Sequence, residues 1–165
     1  MNWDAIGAAA ETLGAIGVIV TLGYLAIQVR QNTKTLKAQI HESMTTGYLS
    51  IVEIGAGNAK VLSAGVKASP EEFASFSDEE KTIFLATIYA IFKHYELMHM
   101  QHERGLIDNE YWEAWSVQIR MEFHQPGVQM WWTMRRATFI KSFREYLESS
   151  TPPDAPTMVD LMKRS

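Results

Sequence analysis

The chain has 165 residues, of which 47% are hydrophobic and 21% charged, with a net charge of -4 and no cysteine. This composition is sufficient for one packed domain, with or without a membrane anchor. The acidic balance argues against a nucleic-acid partner, because binding to the phosphate backbone usually requires a basic surface. The lack of cysteine excludes disulfides, thiolate catalysis, iron–sulfur clusters and cysteine-ligated zinc.

The first predicted element is an apolar helix near the N-terminus. Residues 5–27 contain a single charged residue, Glu11. At about 1.5 Å per residue this stretch is roughly 34 Å long, enough to cross a bilayer core of about 30 Å. A signal peptide would have a basic start and a shorter apolar core, and a buried soluble helix explains the glycines poorly. We therefore expect residues 1–30 to form a transmembrane helix.

Basic residues follow this stretch, whereas Asp4 precedes it. Arg30, Lys34 and Lys37 lie just beyond the apolar residues. Because loops rich in Lys and Arg usually stay in the cytoplasm, we expect the rest of the chain on that side. The same three residues are the candidates for contacts with lipid headgroups.

Small residues recur along the apolar helix at spacings of three and four. They are Gly7, Ala10, Gly14, Gly17 and Thr21. In lipid, helices associate largely through close backbone approach at such residues. The stripe therefore predicts a packing seam, and a second copy of the chain is the favoured partner. The alternative is that Gly and Ala are simply frequent in membrane helices.

Glu11 lies beside this stripe, and an intramembrane carboxylate is costly unless it faces protein or water. In an oligomer, a ring of such carboxylates would bind cations or protons, and a simple pore would be lined near Glu11. The plainer interpretation, which we favour, is a protonated or snorkelling Glu11 that hydrogen-bonds a neighbouring helix.

Residues 31–149 are predicted to form a small cytoplasmic helical bundle. Apolar residues recur every four positions from Leu36 to Val52, so the first helix should continue to the glycines at 55 and 57. A short helix is expected over 58–67. Ser69 and Ser77 each begin a capping box, which marks the start of a helix.

The remaining boundaries follow from turn signals. The helix that begins at Ser77 should end at Gly105, and Asp108 should cap the next helix. Gln125-Pro126-Gly127 breaks the chain, and one last helix is expected from Val128 to Leu147. Residues 150–165 contain three prolines and are predicted to be a flexible tail. The expected fold is all-α, with a single transmembrane helix that continues into the bundle.

The sequence offers one weak metal-binding pattern. Glu96 and His99 have the Glu-x-x-His spacing of carboxylate-bridged di-iron bundles, but a second copy of the motif is missing. Helical geometry also places Glu96, His99 and Glu103 away from the apolar face, where we expect them to be solvated. We therefore predict no metal site and no cofactor. Neither a nucleophile elbow nor a phosphate-binding loop is present, so no catalytic residue is predicted.

Aromatic and basic residues meet in Trp131-Trp132 and Arg135-Arg136. Such a cluster is able to contact anionic headgroups. The interpretation we favour is that one Trp belongs to the core and the two arginines form a solvated face.

An ordered set of motifs resembles a widespread family of uncharacterised bacterial proteins. These have an apolar N-terminal helix ending in a stretch like Tyr24–Thr33 (YLAIQVRQNT here). Motifs like Gly105-Leu106-Ile107-Asp108 with Trp112, Pro126-Gly127 with Trp131-Trp132, and Phe143-Arg144-Glu145-Tyr146-Leu147 follow in this order. The resemblance covers nearly the whole chain. It implies a bacterial membrane protein and carries no activity that transfers to this chain.

Together these observations predict a homo-oligomeric, single-pass protein of the bacterial inner membrane, acting as a scaffold or a simple pore. The alternative is a membrane-tethered adaptor whose cytoplasmic bundle binds a partner protein or lipid. A metal-dependent enzyme is a third, less favoured class.

Overall fold

The computed structural model describes residues 3–154, with side-chain surroundings at Glu11 and from residue 13 onward. Every regular element over this range is helical, which confirms the predicted all-α class. The elements are α1 (Trp3–Gly57), α2 (Ala59–Lys67), α3 (Pro70–Ala74), α4 (Asp78–Glu103), α5 (Asn109–Phe123), α6 (Pro126–Arg135), a 3₁₀ turn (Arg136–Thr138) and α7 (Lys141–Glu148). Most of the predicted flexible tail, residues 155–165, lies outside the described residues.

The chain divides into two compact units, Met1–Ile40 and His41–Ser165. The boundary falls within α1, so the first unit contains most of this helix and the second contains its C-terminal turns together with the other helices. The end of α1 at Gly57 agrees with the prediction from the two glycines.

The second unit is a helical bundle built around α4. Helices α2, α5 and α7 each contact α4, and α6 contacts α2, α3 and α5. The core is dominated by large aromatic and aliphatic side chains with almost no exposed surface. They are Phe84, Phe92, Tyr95, Met98, Ile119, Val128, Trp131, Phe143 and Leu147. The rings of Phe92 and Trp131, with centroids 5.2 Å apart, join α4 to α6.

Local signals define both ends of α4, as predicted. The Ser77 hydroxyl accepts a hydrogen bond from the Glu80 amide, and the Glu80 carboxylate accepts one from the Ser77 amide at 2.8 Å. At the other end, Gly105 has a φ of +70°, which a residue with a side chain adopts only with strain. The amides of Leu106 and Gly105 donate to the carbonyls of Gln101 and His102, which completes a Schellman motif.

Ser77→Ala should lower the free energy of unfolding of the bundle by about 1 kcal/mol, because the Glu80 amide loses its acceptor. The measurement is urea unfolding of the full-length protein in mild detergent, followed by tryptophan fluorescence. Ser50→Ala is the control, since Ser50 is exposed within α1 and its hydroxyl bonds only its own helix. An equal loss in both variants would show that the cap is not formed.

The prediction of one final helix from Val128 to Leu147 is wrong. α6 ends at Arg135, and after the 3₁₀ turn the chain is extended at Phe139 and Ile140 before α7 begins. Side chains of α4 bind the backbone groups that this break releases. The Glu96 carboxylate accepts a hydrogen bond from the Ile140 amide at 2.6 Å, and the Lys93 ammonium donates to the Thr138 carbonyl at 2.7 Å.

Helices α2 and α6 meet through two glycines. A Cβ atom added at Gly127 would lie 1.8 Å from the carbonyl oxygen of Gly65, and one added at Gly65 would lie 2.3 Å from the Phe84 ring. The backbones are therefore in direct contact at this crossing. Gly127, predicted only as part of a chain break, is required because no side chain fits there.

Candidate functional site

The predicted seam of α1 is open over the part that the structure describes. A Cβ atom added at Gly14 or Gly17 would meet nothing within 4 Å. The Thr21 hydroxyl is exposed and donates to the Gly17 carbonyl at 2.8 Å. Gly7 and Ala10 lie within α1 but outside the residues whose side-chain surroundings are described. Packing among the described residues therefore does not account for glycine at positions 14 and 17.

The charged residues predicted to flank or enter the membrane are mostly exposed. Glu11, Arg30 and Lys34 are exposed on α1, and Lys37 is half-buried. None of these positions alone identifies a ligand.

The apolar side chains that the structure describes in the first half of α1 are exposed. Nine aliphatic side chains between residues 13 and 29 are roughly half exposed or more, from 47% at Leu25 to 69% at Leu13. They are Leu13, Ile16, Val18, Ile19, Val20, Leu22, Leu25, Ile27 and Val29. Among the described residues, one helix, α1, has the length and the apolar composition needed to cross a membrane. Signal sequences meet the same criteria of length and composition, as do core helices of soluble proteins, although the latter are mostly buried.

Of the two candidate metal ligands, Glu96 has other partners. Both carboxylate oxygens of Glu96 accept hydrogen bonds, one from the Ile140 amide and one from the Lys93 ammonium at 2.7 Å. Among the side chains that the structure describes (Glu11 and residues 13–154), His, Asp and Glu form no group of three able to hold a metal ion. Glu96 thus joins α4 to the start of α7 and has a structural role.

His99 is not solvated, contrary to our expectation from helical geometry. It is 6% exposed and packs against the rings of Trp112, Phe143 and Tyr146, with centroids 5.2 to 5.5 Å away. Burial lowers its pKa, although Glu103 acts in the opposite direction. The burial arises because α5 and α7 both cover this side of α4.

The tryptophan–arginine cluster agrees with the favoured interpretation in one part only. Arg135 and Arg136 are exposed as expected, but the expectation of a single Trp in the core is wrong. Both Trp131 and Trp132 are buried. The Trp132 indole donates to the Glu148 carboxylate at 3.0 Å, and Arg136 pairs with the same carboxylate at 2.9 Å. The cluster therefore joins α6 to α7.

A cavity of about 310 Å³ lies between α2, α4, α5 and α6. This is the lower end of the range of small-molecule sites. Its walls are mainly apolar, with a few polar groups from α2 and α5. The lining residues are Leu62, Ser63, Val66, Ile88, Ile91, Gln118, Met121, Glu122, Gln125 and Val128.

Among the described residues that line this cavity, Glu122 is the only ionisable one. Its carboxylate accepts hydrogen bonds from the Tyr95 hydroxyl at 2.9 Å and from the Gln118 amide at 2.5 Å. The residue keeps some accessible surface because it opens onto the cavity, yet protein groups enclose it and reduce its hydration. This burial raises the pKa of Glu122, against the lowering effect of the two donors.

Two tyrosines respond to the same environment. Burial raises the pKa of Tyr95 well above its ordinary value, and the Glu122 carboxylate adds to the effect. The pKa of Tyr48 is raised by the same two causes.

Our sequence analysis did not select Glu122 as a site. The available signal was its position on α5, one turn beyond Gln118 and next to the inward-facing Ile119.

Glu122→Gln should increase stability relative to wild type more at pH 8 than at pH 4. Since folding raises the pKa of Glu122, its favourable contribution is present at low pH and is lost as the pH rises through the folded-state pKa. His94, His99 and His124 have lowered pKa values, so their contributions are lost as the pH falls. The same histidines are present in wild type and in Glu122→Gln, so comparing the two proteins at the same pH cancels the contribution of the histidines.

The measurement is the urea midpoint at each pH. Glu113→Gln, on the exposed side of the same helix, is the matched control and should differ from wild type equally at both values. A pH-independent effect of Glu122→Gln would contradict the buried carboxylate.

In comparisons with known proteins, no protein-family model matches the chain, and neither curated proteins nor solved structures give a significant match.

Proposed function

We propose that the protein is a single-pass protein of the bacterial inner membrane that self-associates through α1 and carries the helical bundle on the cytoplasmic side. The observation that supports this most is the run of nine exposed aliphatic side chains between residues 13 and 29. Such surface is unfavourable in water and favourable in lipid.

The magnitudes favour insertion. On insertion scales, apolar residues contribute about -0.3 to -0.6 kcal/mol each at the centre of a helix, so nine contribute roughly -3 to -5 kcal/mol. Glu11 opposes insertion, at a cost of about 2.5 to 3.5 kcal/mol for a carboxylate at the helix centre. Its position near the start of the span makes the actual cost smaller. The sum is therefore favourable to a spanning helix.

Anchoring is tested by fractionation of cells that express the full chain. The protein should sediment with membranes and stay in the pellet after extraction at alkaline pH, but dissolve in detergent. Recovery in the soluble fraction before any detergent is added would overturn the proposal.

Self-association is supported by two glycines of α1 that packing among the described residues does not explain. Each interior glycine destabilises a helix by about 1 kcal/mol relative to alanine, yet a Cβ atom added at Gly14 or Gly17 would meet nothing within 4 Å in the described structure. Close approach of a second α1 helix would account for both. The assembly that we propose is a scaffold. If it instead forms a pore near Glu11, the protein reconstituted in a bilayer should conduct ions, and Glu11→Gln should change that conductance.

Gly17→Leu and Gly14→Leu should each reduce the oligomer to a smaller species in native mass spectrometry of the detergent-solubilised protein. Gly23→Leu is the matched control, because Gly23 is equally open but lies about 180° around the helix from Gly14. If all three variants keep the wild-type mass, the seam is not used.

A second candidate function, a membrane-tethered binding module, is favoured by a separate observation, the cavity beside Glu122. Leu62→Trp would fill this cavity from its α2 wall. Native mass spectrometry after gentle purification should detect a small molecule or lipid bound to wild type and absent from Leu62→Trp. Identical spectra for the two proteins would remove this candidate.

A further inference from the structure

We infer that the cavity between α2, α4, α5 and α6 binds a small amphiphilic ammonium compound, with the ammonium group on the Glu122 carboxylate and the apolar body against Leu62 and Ile91. This inference deepens the second candidate function and rests on it alone. It does not require that α1 spans a membrane.

The charge of the cavity defines the preferred ligand. Among the described residues that line it, Glu122 is acidic and none is basic. Gln118 and Tyr95 hold the carboxylate with neutral donors, so its charge is hydrogen-bonded but not neutralised. A buried charge without an opposite charge is costly, and a bound cation would compensate it.

The carboxylate also has room for a further donor. An ionised carboxylate has about four acceptor positions, and the hydrogen bonds of Glu122 within the protein occupy one on each oxygen. An ammonium group carries three N–H donors. A charge-assisted hydrogen bond at the remaining positions would therefore complete the site.

The walls require the rest of the ligand to be apolar. Side chains from all four helices contribute hydrocarbon surface around the carboxylate, including Val66, Ile88, Met121 and Val128. An anionic amphiphile would be repelled by Glu122. A neutral one would fill the same volume but leave the charge uncompensated.

The test compares three probes of equal chain length: hexylammonium, hexanol and hexanoate. Binding to the full-length protein in maltoside micelles is measured by calorimetry and by the NMR shift of the ¹³C-labelled Met121 methyl group. In Leu62→Trp the cavity is filled, so the probe binding measured with this variant is binding to the micelle. After this correction, hexylammonium should bind at least tenfold more tightly than either other probe.

Glu122→Gln keeps the size of the side chain and removes its charge. It should weaken hexylammonium binding at least tenfold and leave hexanol binding unchanged, which also shows that the cavity is still folded. The comparison of probes on wild type stands even where a variant fails to fold.

Equal affinities for the three probes on wild type would overturn the inference, and so would no shift of the Met121 methyl group with any of them. Tighter binding of hexanoate would show that the cavity prefers an anion and would contradict the positive charge that we assign to the ligand. These outcomes are independent of membrane fractionation, so failure here is distinguishable from failure of the anchoring proposal. Detection of a co-purified ligand without an amine would retain the binding module and reject the ammonium class.

Discussion

Gly127→Ala should destabilise the bundle by about 3 kcal/mol or more, at the upper end of the cost of overpacking a core. The added Cβ atom would lie 1.8 Å from a backbone oxygen of α2, which cannot rotate away as a side chain does. Helix α2 cannot retreat either, because Gly65 already lies against the Phe84 ring of α4. The whole α2–α6 crossing must therefore open.

The measurement is urea unfolding of the full-length protein in mild detergent, with tryptophan fluorescence and far-UV circular dichroism as probes. Gly57→Ala is the matched control, since a Cβ atom there meets nothing within 4 Å. It should remain within about 1 kcal/mol of wild type, because alanine is the better helix former. If Gly127→Ala is as stable as Gly57→Ala, the two helices do not touch at this point.

Val18→Arg combined with Leu22→Arg should release the protein from the membrane fraction. Both positions lie in the middle of the exposed apolar run, and the two residues are 59% and 60% exposed. An arginine near the bilayer centre costs about 2.5 to 3.5 kcal/mol, so the pair costs roughly 5 to 7 kcal/mol. This exceeds the roughly 3 to 5 kcal/mol contributed by the aliphatic side chains.

Gln28→Arg combined with Gln31→Arg is the matched control. It adds the same charge to the same helix beside Arg30, where long basic side chains reach the interface. This control should stay in the alkaline-resistant pellet while the first pair appears in the soluble or aggregated fraction. Retention of both would mean that residues 13–29 are not inside the hydrocarbon region.

Helix boundaries that depend on neighbouring residues were predictable from the sequence. The two capping boxes at Ser69 and Ser77 are formed, and α4 ends just before Gly105, as expected. α1 ends at Gly57 and α2 follows within two residues. These signals act within about one helical turn, so the chain carries them whatever it packs against.

Burial around α4 was less predictable. Phe84, Ile88 and Tyr95 recur at helical spacing and all three are buried, as periodicity indicates. Periodicity wrongly placed His99 in solvent, because a helix covered from several sides has no single buried stripe. Glu122 was overlooked for the same reason, since a carboxylate on an amphipathic helix is usually solvated.

The sequence by itself determined the helical class, the exposed apolar stretch of α1 and most helix ends, because these depend on composition and on contacts between near neighbours. The tertiary structure alone decided where the last helix divides, since Glu96 binds the Ile140 amide across 44 residues of sequence. It also decided why Gly127 must be glycine and that Glu122 opens onto a cavity. Each of these depends on contacts between helices that are far apart in the sequence. Short-range sequence patterns do not predict which backbone groups or carboxylates such contacts bury.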